Sequence, residues 1–106
     1  MSDNLGALEE IILLIVMTLD EAYGVTVAET YKEKIGNSIS VPAVHTVLKR
    51  LEKKGFIESA MGEPSPERGG RRKRLYTATK HGYKTLANLQ ETRSQLWSLV
   101  PKIKFI

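Results

Sequence analysis

The stretch from Phe56 to Thr79 constrains the fold more than any other part of the chain. Phe56-Ile57-Glu58-Ser59-Ala60-Met61 reads as one short strand and Arg74-Leu75-Tyr76-Thr77-Ala78 as a second. The segment between them holds Pro64, Pro66, Gly69 and Gly70, residues that turn the backbone, and closes on a run of four cations, Arg71-Arg72-Lys73-Arg74. Two strands joined in this way form a hairpin with a long loop. A lone two-stranded hairpin is marginal in water and needs a helical layer to pack on. The remaining sequence must therefore be largely helical.

The pattern on either side agrees. Residues 5–19, LGALEEIILLIVMTL, place apolar side chains at helical spacing, and Leu13, Leu14 and Met17 make the other side apolar too. A helix apolar nearly all round must be covered on more than one side. A second helix is expected over about 25–35. Thr26 and Glu29 would form a capping box at its start, and Gly36 would end it. Ser40 can cap a third helix with Pro42 in its first turn, running through VPAVHTVLKRLEKK to Gly55. Val44, Leu48 and Leu51 fall on its buried side. Pro42, Thr46, Lys49, Arg50 and Lys53 fall opposite, with His45 at the margin. Thr79 can cap a fourth helix over about 80–100, ended by Pro101, with Tyr83, Leu86, Leu89, Leu96, Trp97 and Val100 on its apolar side.

The order is helix, helix, helix, strand, basic loop, strand, helix. The expected fold is mainly α with a small β-hairpin. It is a winged helix-turn-helix, in which the third helix enters the DNA major groove and the hairpin wing lies on the neighbouring backbone or minor groove.

Charge supports a polyanionic partner. Residues 1–48 carry two basic against seven acidic residues, whereas residues 49–106 carry 14 basic against five acidic. The halves therefore differ as −5 and +9. Gly69-Gly70 let the loop turn sharply, so that Arg71, Arg72, Lys73 and Arg74 can project from its tip towards phosphates. The competing reading is a charged loop kept for solubility. On the third helix, Thr46 and Lys49 lie where side chains reach base edges or phosphate. Arg50 and Lys53, nearer its end, could equally face away from a groove, and His45 beside Thr46 is balanced between DNA and solvent. His81 falls in the first turn of the fourth helix with no visible role.

With 106 residues the chain is expected to be one domain, and it contains no cysteine. That excludes disulfides and thiolate metal sites and fits a reducing compartment. Neither His45 nor His81 has clustered carboxylates nearby, so no metal or other cofactor is expected. The longest aliphatic run, Ile11 to Met17, is far too short to cross a bilayer, which takes about 20 residues. It also lacks a basic flank, so a cytoplasmic protein without membrane association is expected. No Ser/His/Asp or Cys/His set suggests an enzyme. Gly69-Gly70 lacks the strand–loop–helix setting of a phosphate-binding loop.

Several stretches together carry a family resemblance. They are Leu5-Gly6-Ala7-Leu8-Glu9, Tyr23-Gly24, the run Ala43 to Gly55, the run Gly62 to Arg74, and then Thr79 and Gly82. The chain resembles the PadR-like winged-helix transcriptional regulators over roughly residues 5–90, most specifically over 43–74. The resemblance implies a bacterial or archaeal homodimeric repressor, often responsive to small molecules. It further implies dimerisation through the C-terminal helix packed with the first helix. Family members usually carry Tyr, facing DNA, at the position of His45. The single C-terminal helix matches the short members, which have no separate effector domain.

Residues 1–79 are thus expected to form the winged-helix DNA-binding domain. Residues 80–106 would form a dimerisation helix and short tail within the same structural unit. Expected DNA contacts are Pro42, His45, Thr46, Lys49, Arg50, Arg71, Arg72, Lys73 and Arg74. Expected dimer contacts are Leu8, Ile12, Leu86, Leu89, Arg93, Leu96, Trp97 and Val100. Arg93 interrupts the apolar seam, so it either pairs across the interface or marks the seam's end. Trp97 would pack in the dimer or, in the sharper reading, wall an apolar pocket for a small aromatic effector. A two-fold dimer places its third helices about 34 Å apart, one DNA turn, and so implies a palindromic operator in double-stranded DNA. The alternative is a winged-helix protein-interaction module in which the basic wing is incidental.

Overall fold

The structure, a computed structural model, describes residues 4–64 and 72–103. Six elements follow in the expected order: α1 (Ala7–Thr18), α2 (Gly24–Ile35), α3 (Val41–Lys53), β1 (Ile57–Met61), β2 (Arg74–Ala78) and α4 (Lys80–Ser98). The strands form one antiparallel two-stranded sheet with Ser59 opposite Tyr76 and Met61 opposite Arg74. Three helices, a wing and a closing helix make a winged helix.

The helix ends show why each element starts where it does. The Ser40 hydroxyl accepts from the Ala43 N–H at 3.2 Å, and the Thr79 hydroxyl accepts from the Gly82 N–H at 3.0 Å. Each meets one of the donors that a helix start leaves without an intrahelical partner. The start of α2 departs from expectation. Thr26 does not cap the helix but is its third residue. Its Oγ1 accepts from the Tyr23 N–H at 3.0 Å and donates to the Glu21 carbonyl at 2.8 Å. The helix begins earlier than the Thr26–Glu29 pattern implies, and Glu29 is exposed. At the other end Gly36 adopts φ 94°, the left-handed conformation that glycine takes without a Cβ clash.

The core lies where α1, α2, α3 and the root of the hairpin meet. Ile12, Leu13, Val27, Val44, Leu48, Leu51 and Phe56 are fully buried in it. α1 touches α2, α3, β2 and α4, so its broad apolar circumference is covered mostly by its own chain. Only Leu8 and Leu14 remain exposed among its large apolar residues. Glu9 and Glu10 are buried in its first turn, each with a distant cation: Lys54 at 2.8 Å from Glu9, and Arg93 on Glu10.

Two contacts fix the wing and α4 to this core. The Tyr76 N–H donates to the Ala22 carbonyl at 2.8 Å, which joins the α1–α2 corner to β2 as a short third rung. Gly82 sits against the chain at Phe56 so closely that an added Cβ would lie 2.1 Å from the Phe56 carbonyl oxygen. Thr79 fastens the same junction, donating through its hydroxyl to the Gly55 carbonyl at 2.7 Å. His81 stacks on Phe56 with ring centroids 4.9 Å apart, which gives that histidine a packing role. Among the described residues no helix is long and apolar enough to cross a membrane.

Candidate nucleic-acid interface

α3 presents the face that its spacing predicts. Val44, Val47, Leu48 and Leu51 are buried, while Pro42, His45, Thr46, Lys49, Arg50 and Lys53 are exposed. Ridges of four-residue spacing put the second set on one side of a rigid rod. Thr46 donates its hydroxyl to the Pro42 carbonyl at 3.1 Å, one turn back, and keeps its acceptor lone pairs outward. Among the described residues, Lys49, Arg50 and Lys53 make no side-chain hydrogen bond or ion pair. Lys54, one residue further, differs: its ammonium donates to Glu9 at 2.8 Å and to the Asn4 carbonyl at 3.0 Å.

His45 is placed by a glycine. A Cβ built on Gly24 would lie 2.6 Å from His45 Nε2, so with glycine the imidazole packs directly onto the first residue of α2, and a side chain there would push it aside. Here the Tyr23-Gly24 pair has a structural meaning that its sequence did not show. The close approach seats the start of α3 beside the start of α2. There first-turn N–H groups and the positive end of the helix dipole favour anions.

The wing brings its cations to the same place. Tyr23, Gly24 and Val25 from α2 and the turn before it, His45 from α3, and Arg72, Lys73 and Arg74 from the wing line one open cleft. Residues separated by about fifty positions in sequence thus form a single cationic surface. Arg71, Gly69 and Gly70 lie outside the described residues. Each described wing cation has an internal partner. Arg72 Nε donates to the Gly62 carbonyl at 2.9 Å. Lys73 Nζ lies 2.9 Å from Glu21 Oε1 and 4.5 Å from the centre of the Tyr23 ring. Arg74 Nη1 donates to Ser59 Oγ at 3.0 Å, and the Ser59 hydroxyl donates to Glu52 at 2.7 Å. The hydrogen bond from Lys73 to Glu21 raises the lysine pKa above its ordinary 10.5, against a smaller opposing effect of burial. Burial, with a lesser contribution from the charge of Glu52, likewise raises the Tyr76 phenol above 10.0, so it is neutral at the root of the wing.

The expected dimer contacts divide into two groups. Ile12 and Leu86 are buried in the chain's own core, at 0% and 2% exposure, and offer nothing to a second copy. The helical period marked them as apolar but could not tell which neighbour would cover them. Arg93 pairs with Glu10 of its own chain, where α4 leaves α1. Leu8 is partly exposed and Leu89 half-buried. Leu96, Trp97 and Val100 stand in solvent, Trp97 at 75% exposure, together with Leu99 and Ile103, which the pattern did not single out.

The same architecture occurs in known proteins. The family profile described as the transcriptional regulator PadR-like family matches residues 12–88. A PadR-like transcription factor from Bacteroides fragilis superposes with a TM-score of 0.73 at 21% identity, over 86% of this chain and 84% of that one. A Streptococcus mutans UA159 protein shares 32% identity over 91% of this chain and 86% of its own, with a TM-score of 0.66. Bacillus subtilis PadR, solved in complex with operator DNA, superposes with a TM-score of 0.66 at 22% identity over 95% of this chain and 54% of that one. The comparison with curated proteins gives no match. Three helices and a wing in this order, with the profile spanning α1 to α4, place the chain among winged-helix regulators: it belongs to the PadR-like family of transcriptional regulators.

Proposed function

We propose that the protein is a homodimeric, sequence-specific DNA-binding repressor whose dimer interface takes a small apolar or aromatic effector. One observation carries the DNA reading: His45, from the exposed face of α3, and the wing cations Arg72, Lys73 and Arg74 line one cleft at the start of α2. A rigid helix face whose three cations have no partner among the described residues is suited to a groove and its phosphates. Bacillus subtilis PadR, which shares this fold, is solved in complex with operator DNA, and that supports a duplex as the partner. In this reading Thr46 and Lys49 meet base edges, Arg50 and Lys53 meet phosphates, and Arg71 and Arg72 carry the wing onto the neighbouring backbone.

The exposed end of α4 supports the dimer. Leu96, Trp97, Leu99, Val100 and Ile103 are all solvent-exposed in the single chain, and apolar patches of several hundred Å² are uncommon on stable monomers. α4 and the exposed Leu8 and Leu14 of α1 would pack on their two-fold mates, with Trp97 against the effector. The division into a DNA-binding part over residues 1–79 and a dimerising part over 80–106 follows.

The test is to sequence duplex fragments retained by the purified protein and to measure binding of the enriched site between about 50 and 200 mM salt. A palindrome with half-sites one helical turn apart and steep loss of affinity with salt is expected. Failure to retain any duplex, or retention indifferent to salt, would return the chain to the interaction-module reading. Sedimentation tests the dimer separately: Leu96→Glu should give a folded monomer.

A further inference from the structure

We propose that Lys73 is a positioning residue, one that ties the wing to the α1–α2 corner through Glu21 and Tyr23 and does not itself neutralise a DNA phosphate. The inference rests on the DNA-binding reading above and refines it. In sequence Lys73 is indistinguishable from Arg72 and Arg74, and its charge invites the same role.

Its surroundings are different. The ammonium is 2.9 Å from Glu21 Oε1 and 4.5 Å above the Tyr23 ring, and the side chain retains only 20% exposure. A cation held between a carboxylate and an aromatic face is stabilised by both and has little to gain from exchanging them for a phosphate. Glu21 belongs to the α1–α2 corner, next to Ala22, which accepts the Tyr76 N–H. The backbone rung and the ion pair therefore fasten β2 to the same corner. Tyr23 is the residue immediately before α2, whose first residues Gly24 and Val25 line the cationic cleft. Lys73 thus sets the distance between the wing and the start of α2, the two walls of that cleft.

The neighbouring residue supports the assignment. Adjacent residues of an extended chain point to opposite sides. Arg74 reaches the other way, to Ser59 and through it to Glu52 of α3. A two-stranded sheet has no third strand to hold its angle, and these two contacts brace it from both sides. Meanwhile the Lys73 carbonyl accepts from the Gly62 N–H at 2.7 Å and closes the base of the loop.

The experiment compares Lys73→Met, Lys73→Arg and Glu21→Gln, with Glu21→Gln also placed in the Lys73→Met background. Binding to a fluorescein-labelled mixed-sequence duplex is measured against salt, with circular-dichroism melting of each variant. Methionine keeps the apolar stem and removes the charge. Lys73→Met should bind about fivefold more weakly, the scale of an exposed ion pair, with the wild-type salt slope unchanged. Arginine, which can keep both partners, should restore wild-type binding. Glu21→Gln should weaken the wild type but add nothing to Lys73→Met. A salt slope about one unit shallower in Lys73→Met would make Lys73 a phosphate ligand and overturn the proposal. Tighter binding by Glu21→Gln, or wild-type affinity in Lys73→Met, would overturn it as well. Absence of salt-dependent binding by the wild type would overturn the DNA reading itself and the positioning role with it.

Discussion

The outer face of α3 and the wing carry cations in similar numbers but treat them differently. On α3, Lys49, Arg50 and Lys53 are exposed and, among the described residues, unpartnered. On the wing, Arg72, Lys73 and Arg74 are each bonded to the chain itself. The reason is mechanical. α3 is held by Val44, Val47, Leu48 and Leu51 in the core, so it needs no hydrogen bond from Lys49, Arg50 or Lys53 to keep its place. Among the described residues the hairpin strands bury only Ile57 and Tyr76, and such a sheet needs polar contacts to keep its angle. A dense cation run in sequence therefore overstates the charge that a wing can offer to a partner, while a sparser helical stripe offers all of its own.

The largest expected effect tests that contrast directly. Replacing Arg50 and Lys53 together with Ala should weaken duplex binding by about tenfold near 0.1 M salt for each phosphate left without its cation, and flatten the salt slope by about one unit each. Helix propensity favours Ala and both positions are exposed, so the fold should be unaffected. Arg74→Ala should leave the slope near wild type and lower thermal stability slightly, through loss of the Ser59–Glu52 connection. If the Arg74 variant flattened the slope as much as the α3 pair, the two regions would be equivalent and the contrast would fail.

Sequence patterning resolves what depends on neighbours close in the chain. The order of elements, the Ser40 and Thr79 caps and the polar stripe of α3 all rest on residues a few positions apart. What it misses depends on distant contacts. Glu9 and Glu10 stand in an otherwise apolar stretch that marks no partner for them, yet both are buried, because Lys54 and Arg93 reach them across 45 and 83 residues. Leu86 and Leu96 share one apolar stripe of α4, but the first faces the core and the second faces solvent, since the globular part ends between them. The start of α2 departs from its pattern because Thr26 and Glu29 fit a capping box, whereas Gly24 permits an earlier turn against His45. The wing cations stand out in the sequence as a run, but their internal partners Glu21, Ser59 and Gly62 have no marker there.

The same contrast exists on a smaller scale within α3 and its cap. Lys53 and Lys54 are adjacent and chemically identical, yet Lys53 has no partner among the described residues and Lys54 bridges Glu9 and the Asn4 carbonyl. Lys54→Met should therefore lower unfolding stability by about 1–3 kcal/mol, the cost of leaving a buried carboxylate short of its charged donor. Lys53→Met should change stability by less than about 0.5 kcal/mol. Urea unfolding of the two variants measures both. Equal losses would mean that the Glu9 site tolerates an absent partner, and that burial alone does not separate the two lysines.

The smallest effect is the pH dependence of that site. Burial by itself pushes the Glu9 carboxyl up. The hydrogen bonds from Lys54 and the Gly6 N–H, with the charges of Lys54 and Arg50, outweigh it and hold the pKa below the ordinary 4.5. A carboxylate whose pKa is lower in the folded than in the unfolded chain binds fewer protons when folded. Its contribution is then fully present above pH 4.5 and is lost as pH falls through the folded-state value. The wild type should therefore lose stability on acidification below pH 4.5 more steeply than Glu9→Gln, which keeps the shape but cannot titrate. Urea unfolding at a series of pH values compares the slopes. Lys54→Met should shift the wild-type curve towards that of Glu9→Gln, because removing the ammonium takes away its hydrogen bond and charge and lets the carboxyl rise from its lowered position. Parallel curves for wild type and Glu9→Gln would remove Glu9 from the acid response and assign it to the other carboxylates.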